Sequence, residues 1–119
     1  MVGRPTGSHS VTSPALASAL VAPVAAAARE MLRLEGNGED ALILRLAMTA
    51  LGLAEAFCGQ RLVRRANAEG LAEGWSDLPP PIAHGLVLMA VHLFENRHAE
   101  VGVPTAVAAL WRPWRRIGL

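Results

Sequence analysis

The chain has 119 residues, of which 52 % are hydrophobic and 18 % are charged, and its formal net charge is +1. This length and balance predict one folded domain, and they exclude two independent domains, a disordered chain and a strongly acidic or basic tail. Only 4 % of the residues are aromatic and alanine is abundant. The composition therefore favours packed helices over a β-sandwich or a β-barrel.

Several kinds of chemistry are excluded by the residue types that the chain lacks. It contains no lysine, so it has neither a Schiff-base lysine nor a phosphate-binding P-loop, and no dinucleotide-binding glycine motif occurs. Its single cysteine, Cys58, excludes an intramolecular disulfide and a cysteine-based zinc cage. We expect a protein that is not an enzyme, has no catalytic residue and binds no cofactor or metal.

The N-terminal region raises the question of a signal peptide or a membrane segment. Residues 1–12 are rich in Gly, Ser, Thr and Pro, which predicts a flexible N-terminal arm. Residues 15–28 are small and apolar, but Pro23 interrupts them and most are alanine. A spanning helix needs about 20 strongly apolar residues, and a secretory signal has an uninterrupted apolar region. We therefore expect no contact with a membrane.

Helix signals recur along the rest of the chain. Ser13 and Pro14 form a helix-start pair, and Pro23 is predicted to break that helix and start a second piece. Residues 61–63 predict a short extended piece that leads into a loop. The fold class is mainly α: a bundle of about four helices in residues 13–110, with this extended or loop segment between the second and third. The later helices are predicted from Glu39 to Gly59, from Pro80 or Pro81 to about Ala99, and from Thr105 to Arg112.

The helix that starts at Glu39 carries two neighbouring apolar stripes. A helix that is apolar over so much of its circumference must be covered on more than one side. A chain of 119 residues has few elements with which to do so, and contacts between subunits are therefore expected. The predicted core residues are Leu42, Leu46, Leu53 and Phe57 on this helix and Ile82, Leu86, Met89 and Leu93 on the next.

Four residues on or near the third predicted helix could suggest a metal site: His84, His92, Glu95 and His98. Glu95 and His98 have the spacing used in di-iron bundles, but such sites take further carboxylates from facing helices. The second helix offers only Glu55. Surface or capping histidines near a helix C-terminus are the favoured interpretation.

Arginines cluster after the second helix, at Arg61, Arg64 and Arg65. Together with Arg45 they are candidates for contacts between subunits or for the lining of a DNA channel. The alternative is a small helical nucleic-acid-binding regulator that uses the arginine clusters. A net charge of +1 is far from the basic footprint of a dedicated DNA-binding protein.

Residues 111–119 contain two of the three tryptophans and three arginines. Tryptophan and arginine dominate interface hot spots, so we predict a C-terminal partner-binding tail. Packing of this segment back onto the domain is the alternative. A tail of this kind predicts that truncation after Ala109 leaves the fold intact. The candidate contact residues are Leu110, Trp111, Arg112, Trp114, Arg115, Arg116, Ile117 and Leu119.

Three stretches, taken in order, resemble the phage head-tail connector family, the adaptors that ring the portal in long-tailed phages and phage-derived gene transfer agents. Residues 31–35 read Met-Leu-Arg-Leu-Glu and residues 39–43 read Glu-Asp-Ala-Leu-Ile, similar to the family's first helix end and acidic start of a long helix. Residues 55–62 read Glu-Ala-Phe-Cys-Gly-Gln-Arg-Leu, similar to the exit from that helix. Leu-Pro-Pro-Pro-Ile at 78–82, His-Leu-Phe-Glu-Asn-Arg at 92–97 and Leu-Trp-Arg-Pro-Trp-Arg at 110–115 resemble the remainder.

The resemblance covers residues 24–116 and implies a structural connector in a virion or phage-like particle, assembled in the cytoplasm of a bacterial host. It implies a homo-oligomeric ring, usually of twelve subunits, bound beneath the portal protein and extending the DNA channel. A tail-side stopper or tail terminator protein would bind the other side, and DNA would pass without sequence-specific contacts. In the family the C-terminal segment engages the portal. Residues 63–77 are shorter than the strand-rich insertion common in the family.

Overall fold

The computed structural model describes residues 14–63, 75–96 and 102–116, with side chains from Val21 onward. These residues form four α-helices, α1 (Pro14–Leu32), α2 (Asp40–Cys58), α3 (Pro80–Glu95) and α4 (Thr105–Trp111), and two short 3-10 turns, Trp75–Asp77 and Arg112–Trp114. The predicted mainly α fold is confirmed, and the described part of the chain contains no strand. The predicted N-terminal arm and five of the candidate site residues lie outside the described ranges: Arg64, Arg65, His98, Ile117 and Leu119.

The first helix begins at Pro14, as the Ser13-Pro14 pair predicts, but the expected break at Pro23 is wrong. α1 continues through Pro23 to Leu32. Proline removes one backbone hydrogen bond from a helix interior, and Pro23 is exposed to solvent. The helix therefore loses one bond on its outer side, while Val24 and Ala28 on its inner side remain buried.

A tight connection reverses the chain between α1 and α2. Arg33 and Gly36 adopt positive φ angles of 57° and 72°, the left-handed conformation that ends many helices. Arg29 in the last turn of α1 then forms an ion pair of 2.8 Å with Asp40 at the start of α2. The two helices pack side by side in opposite directions.

The central helix α2 packs against both α1 and α3, and the stripe that it buries is not the predicted one. Leu42, Leu46, Leu53 and Phe57 are half-buried. The prediction of these four as core is corrected because α1 and α3 meet α2 on its neighbouring stripe. The buried residues of α2 are Ile43, Ala47, Ala50, Leu51, Ala54 and Cys58.

The third helix returns along α2. Its predicted core residues Ile82, Leu86, Met89 and Leu93 are buried, since α3 lies between α1, α2 and α4. Pro80 stands in its first turn, and the described part of the helix ends at Glu95. The side-chain amide of Asn96 donates to the carbonyl oxygen of His92 at 2.9 Å, which closes the last turn.

Within the described residues, α2 is long and apolar enough to cross a membrane by length and composition, with 33 % of its apolar window buried. The core helix of a globular bundle satisfies the same criterion. Since α2 packs against α1 and α3, its apolar inner face is accounted for by the bundle. Its outer face, which includes exposed Arg45 and Thr49, is not covered by the described part of the chain.

Candidate partner-binding surface

Trp111 is the largest fully buried side chain described, with 0 % of its surface exposed. Its indole N–H donates to the carbonyl oxygen of Ile82 at 3.4 Å, and its ring centroid lies 6.0 Å from that of Phe57. It also packs directly over Gly85 on α3. The prediction of Trp111 as a partner contact is therefore corrected: α4 ends over the core, and this indole fills it.

The segment after Trp111 packs on the C-terminal end of α2. The backbone N–H of Arg116 donates to the carbonyl oxygen of Cys58 at 2.6 Å, and the side-chain amide of Gln60 donates to the carbonyl oxygen of Trp114 at 2.6 Å. Gly59 has a φ angle of 70°, and a Cβ atom there would lie 3.0 Å from the carbonyl oxygen of Arg116. Glycine at position 59 therefore meets two requirements: it adopts the left-handed conformation that ends α2, and it allows the backbone of Arg116 to approach closely.

The side chains of this segment face outward. Arg112, Arg115 and Arg116 are exposed and Trp114 is half-buried. The guanidinium carbon of Arg115 lies 5.0 Å from the centroid of the Phe57 ring, a cation–π arrangement that orients it. We call these four residues the C-terminal arginine surface. Backbone hydrogen bonds fix the main chain of this surface, so its charges are held in defined positions. Leu110, which was also predicted as a partner contact, is half-buried in α4.

Of the other predicted arginines, Arg61 lies at the same end of the bundle. It is 3.9 Å from a carboxylate oxygen of Glu55, whose other oxygen accepts the backbone N–H of Leu62 at 3.0 Å. Arg45 precedes Arg61 by 16 positions and lies in the second turn of α2, about 20 Å along the helix axis from its C-terminal end. Arg45 and Arg61 therefore belong to different surfaces.

Cys58 lies beneath the segment 112–116 with none of its surface exposed. Its Sγ lies 3.8 Å from the carbonyl oxygen of Trp111 as a weak donor. Burial raises the pKa of the thiol above its ordinary 9.0, an effect that nearby Arg115 opposes and Glu55 reinforces. The neutral thiol is favoured, and because the thiolate is the nucleophile, this cysteine acts as a small apolar core residue.

We expect the Cys58 thiol to react with a thiol-specific reagent at least about a hundredfold more slowly in the native chain than in denaturant, because reaction requires local opening. The measurement is the rate of modification at pH 8, and the single cysteine makes the signal unambiguous. Equal rates in buffer and in denaturant would contradict this burial.

The raised pKa of the Cys58 thiol also predicts a contribution to the free energy of unfolding that is complete below pH 9.0. This contribution is lost as the pH rises through the folded-state pKa.

The histidines of α3 do not assemble with other ligands in the described structure. His84 is exposed, His92 is half-buried, and His92 lies beside Asn96 with 3.3 Å between the ring Nδ1 and the amide nitrogen. Among the residues described, no group of three or more His, Cys, Asp or Glu side chains could hold a metal ion. The arrangement of His92 and Asn96 fits the helix-capping interpretation.

Two features of the structure were not predicted from the sequence. The first is the contact between Gly85 and Trp111, for which a glycine in the interior of a helix was the available signal. The second is a groove between α1 and α2 whose α1 wall consists largely of alanines. Alanine gives no distinctive signal in a sequence, because it suits a helix wherever its neighbours lie.

Comparison with known proteins adds no relative to this geometry. No protein-family model, no curated protein and no solved structure matches the chain.

Proposed function

We propose that this chain is a structural head-tail connector: an adaptor subunit that assembles into a ring below a portal protein, joins capsid to tail and extends the DNA channel. The observation that carries the proposal is the outer face of α2. The exposed positions of this face are mostly small and uncharged, and a ring of subunits would cover them.

The outer face of α2 contains one charged residue over five turns. Its exposed positions are Ala41, Arg45, Thr49, Gly52 and Ala56. A surface helix of a monomeric protein normally carries charged and polar side chains on this side. Half-buried Leu42, Leu46 and Leu53 widen the apolar area. Depletion of charged residues of this kind is typical of the core of an interface between proteins.

The family motifs identified in the sequence fall at corresponding places in the fold. The acidic start at 39–43 coincides with the first turn of α2, and Gly59 ends that helix. The Leu-Pro-Pro-Pro-Ile motif leads into α3, whose first residue is Pro80. Agreement between the order of the motifs and the ends of the helices supports the resemblance.

We assign the contact with the portal protein to the C-terminal arginine surface, Arg112, Trp114, Arg115 and Arg116. It combines exposed guanidinium groups with a half-buried indole, the residue types enriched at the energetic centre of interfaces. The near-neutral net charge of +1 suits a channel, because a strongly basic lumen would retain DNA through phosphate contacts.

The first measurement is the composition of nuclease-resistant particles from the source culture. We expect the chain to sediment with capsid and portal peptides at up to about a dozen copies per particle, the number that the family resemblance implies for one closed ring, quantified by mass spectrometry. Its absence from intact tailed particles would overturn the proposal.

The portal contact is tested by the triple variant Arg112→Glu, Arg115→Glu and Arg116→Glu. We expect incorporation into particles to fall at least tenfold, since three cations of one surface become anions. Arg33→Glu, an exposed arginine in the turn between α1 and α2, is the matched control and should incorporate normally. Normal incorporation of the triple variant, with its helical content unchanged, would show that another surface binds the portal.

A second candidate function is a small nucleic-acid-binding regulator. The observation that favours it is the placement of Arg61 at the same end of the bundle as the C-terminal arginine surface. Phosphate contacts would make duplex binding fall steeply with salt, with a slope of about −0.9 per phosphate neutralised. A salt series separates the two candidates, because a connector requires no measurable duplex affinity at physiological salt.

A further inference from the structure

A groove of about 280 Å³ lies between α1 and α2, close to the turn that joins them. Small-molecule sites typically measure about 300–1,000 Å³ and contain convergent polar groups. This groove is at the lower limit, and the Arg29–Asp40 ion pair closes one end of it. Its size and its mainly apolar lining leave room for an aliphatic side chain of another protein. Its walls are Ala22, Ala25 and Ala26 from α1 and Ile43 and Leu44 from α2.

The opposite side of α2 presents a side chain of that kind. Leu42 is half-buried and stands outside the described core cluster and the apolar residues packed on it. Leu42 and Leu44 are two positions apart and therefore point about 160° away from each other around the helix. The groove and Leu42 thus occupy opposite sides of the same subunit, so one copy could use both surfaces at once.

The charges beside these two surfaces are complementary. Arg45 lies one turn beyond Leu42, is exposed, and has no carboxylate within ion-pair distance among the described residues. On the other side, Glu30 lies one turn beyond Ala26 of the groove and is exposed. Arg29 pairs with Asp40 rather than with Glu30, so Glu30 is an exposed carboxylate beside the groove.

We propose that the occupant of the groove is a second copy of this chain: Leu42 of one subunit enters the α1–α2 groove of the next, and Arg45 pairs with Glu30 there. The two surfaces differ, so the contact is heterologous and repeats from copy to copy until the chain of subunits closes into a ring. This inference deepens the proposed function by naming the interface between neighbours. The interface itself is tested on the purified chain alone.

The test is the self-association of the full chain, measured by sedimentation velocity and light scattering over a concentration series. We expect the wild type to form oligomers larger than a dimer, and Arg45→Glu and Glu30→Arg each to weaken association at least tenfold through like-charge repulsion. The double variant R45E/E30R re-creates an opposite-charge pair and should recover association to within about threefold of the wild type. Leu42→Asp should abolish it, because it places a carboxylate in an apolar groove.

Arg112→Glu is the control, because it makes the same charge reversal at an exposed arginine in the segment that packs on the opposite, C-terminal end of α2, and it should associate normally. Circular dichroism of each variant establishes that the helices are intact. A monomeric wild type, or single variants that associate normally, would overturn the proposal. Loss of association without recovery in the double variant would also overturn the Arg45–Glu30 pairing.

Particle sedimentation distinguishes this failure from that of the connector function. Normal entry of each single variant, R45E and E30R, into particles would leave the connector function in place and overturn the assigned interface. If the R45E variant formed oligomers like the wild type but failed to enter particles, a different protein would bind this face. That result would overturn the assignment of a second copy to it. Absence of the wild type from particles overturns the connector function, whatever its oligomeric state.

Discussion

Replacing Trp111 with alanine is expected to lower the free energy of unfolding by about 3 to 5 kcal/mol. The indole is fully buried, contacts the rings and backbone of two other helices, and would leave a cavity at the junction of α2, α3 and α4. Urea denaturation of the purified chain, followed by circular dichroism, gives the change in free energy. Since small domains are stable by about 5–15 kcal/mol, the loss is a large part of the total.

Two further variants keep the Trp111 prediction testable. Trp111→Phe retains an aromatic ring and should lose less stability than Trp111→Ala. Trp114→Ala is the matched control, because Trp114 is the same residue type three positions later and is half-buried. It should cost less than half as much. Equal losses at positions 111 and 114 would contradict the assignment of Trp111 to the core.

The burial of Trp111 also changes how the C-terminal segment must be tested. Truncation after Ala109 removes a core side chain and is expected to unfold the subunit, contrary to the prediction from sequence that the fold would be intact. Loss of assembly in such a truncation would then say nothing about a partner. Charge reversal at Arg112, Arg115 and Arg116 leaves Trp111 and the core in place, and so isolates the surface.

The sequence predicted the helices well because their ends depend on local chemistry. Pro14, Gly59 and Pro80 act through their own backbone geometry, and each stands at the expected end of a helix. The helix break predicted at Pro23 is wrong because the free-energy cost of a proline depends on whether it lies on the inner or the outer side of the helix. That side is set by the position of α2 and α3, which no local pattern reveals.

The core and the candidate surface were harder to predict because both depend on packing between distant residues. Two adjacent apolar stripes on α2 were recognised, but the choice between Leu46 and Ala47 as the inner position depends on where α1 and α3 lie. Trp111 and Trp114 look alike in sequence, with arginine following each. Only the approach of α4 to Gly85 decides that one enters the core and the other remains at the surface.

Substitution of glycine by alanine is expected to have opposite effects at Gly85 and at Gly52. Only Gly85 lies where α4 approaches α3 closely. Gly85→Ala is expected to destabilise the chain by about 1 to 3 kcal/mol. A Cβ atom at position 85 would collide with the indole Nε1 of Trp111 and lie 2.9 Å from two of its carbons, and this indole is fully buried. Gly52→Ala should stabilise by about 0.5 to 1 kcal/mol, because alanine is the better helix former and nothing lies within 4 Å of its Cβ.

Both glycine variants are compared by urea denaturation at equal, low protein concentration, since association would add to the apparent stability. The Trp111→Leu background supplies the decisive comparison. With the indole gone, the Cβ atom of G85A meets no ring, and the substitution should become neutral or stabilising by up to about 1 kcal/mol. If G85A were as destabilising in W111L as in the wild type, its effect would arise from a neighbour other than Trp111. The reversal of sign ties Gly85 to Trp111, because a glycine needed only for backbone flexibility would behave alike in both backgrounds.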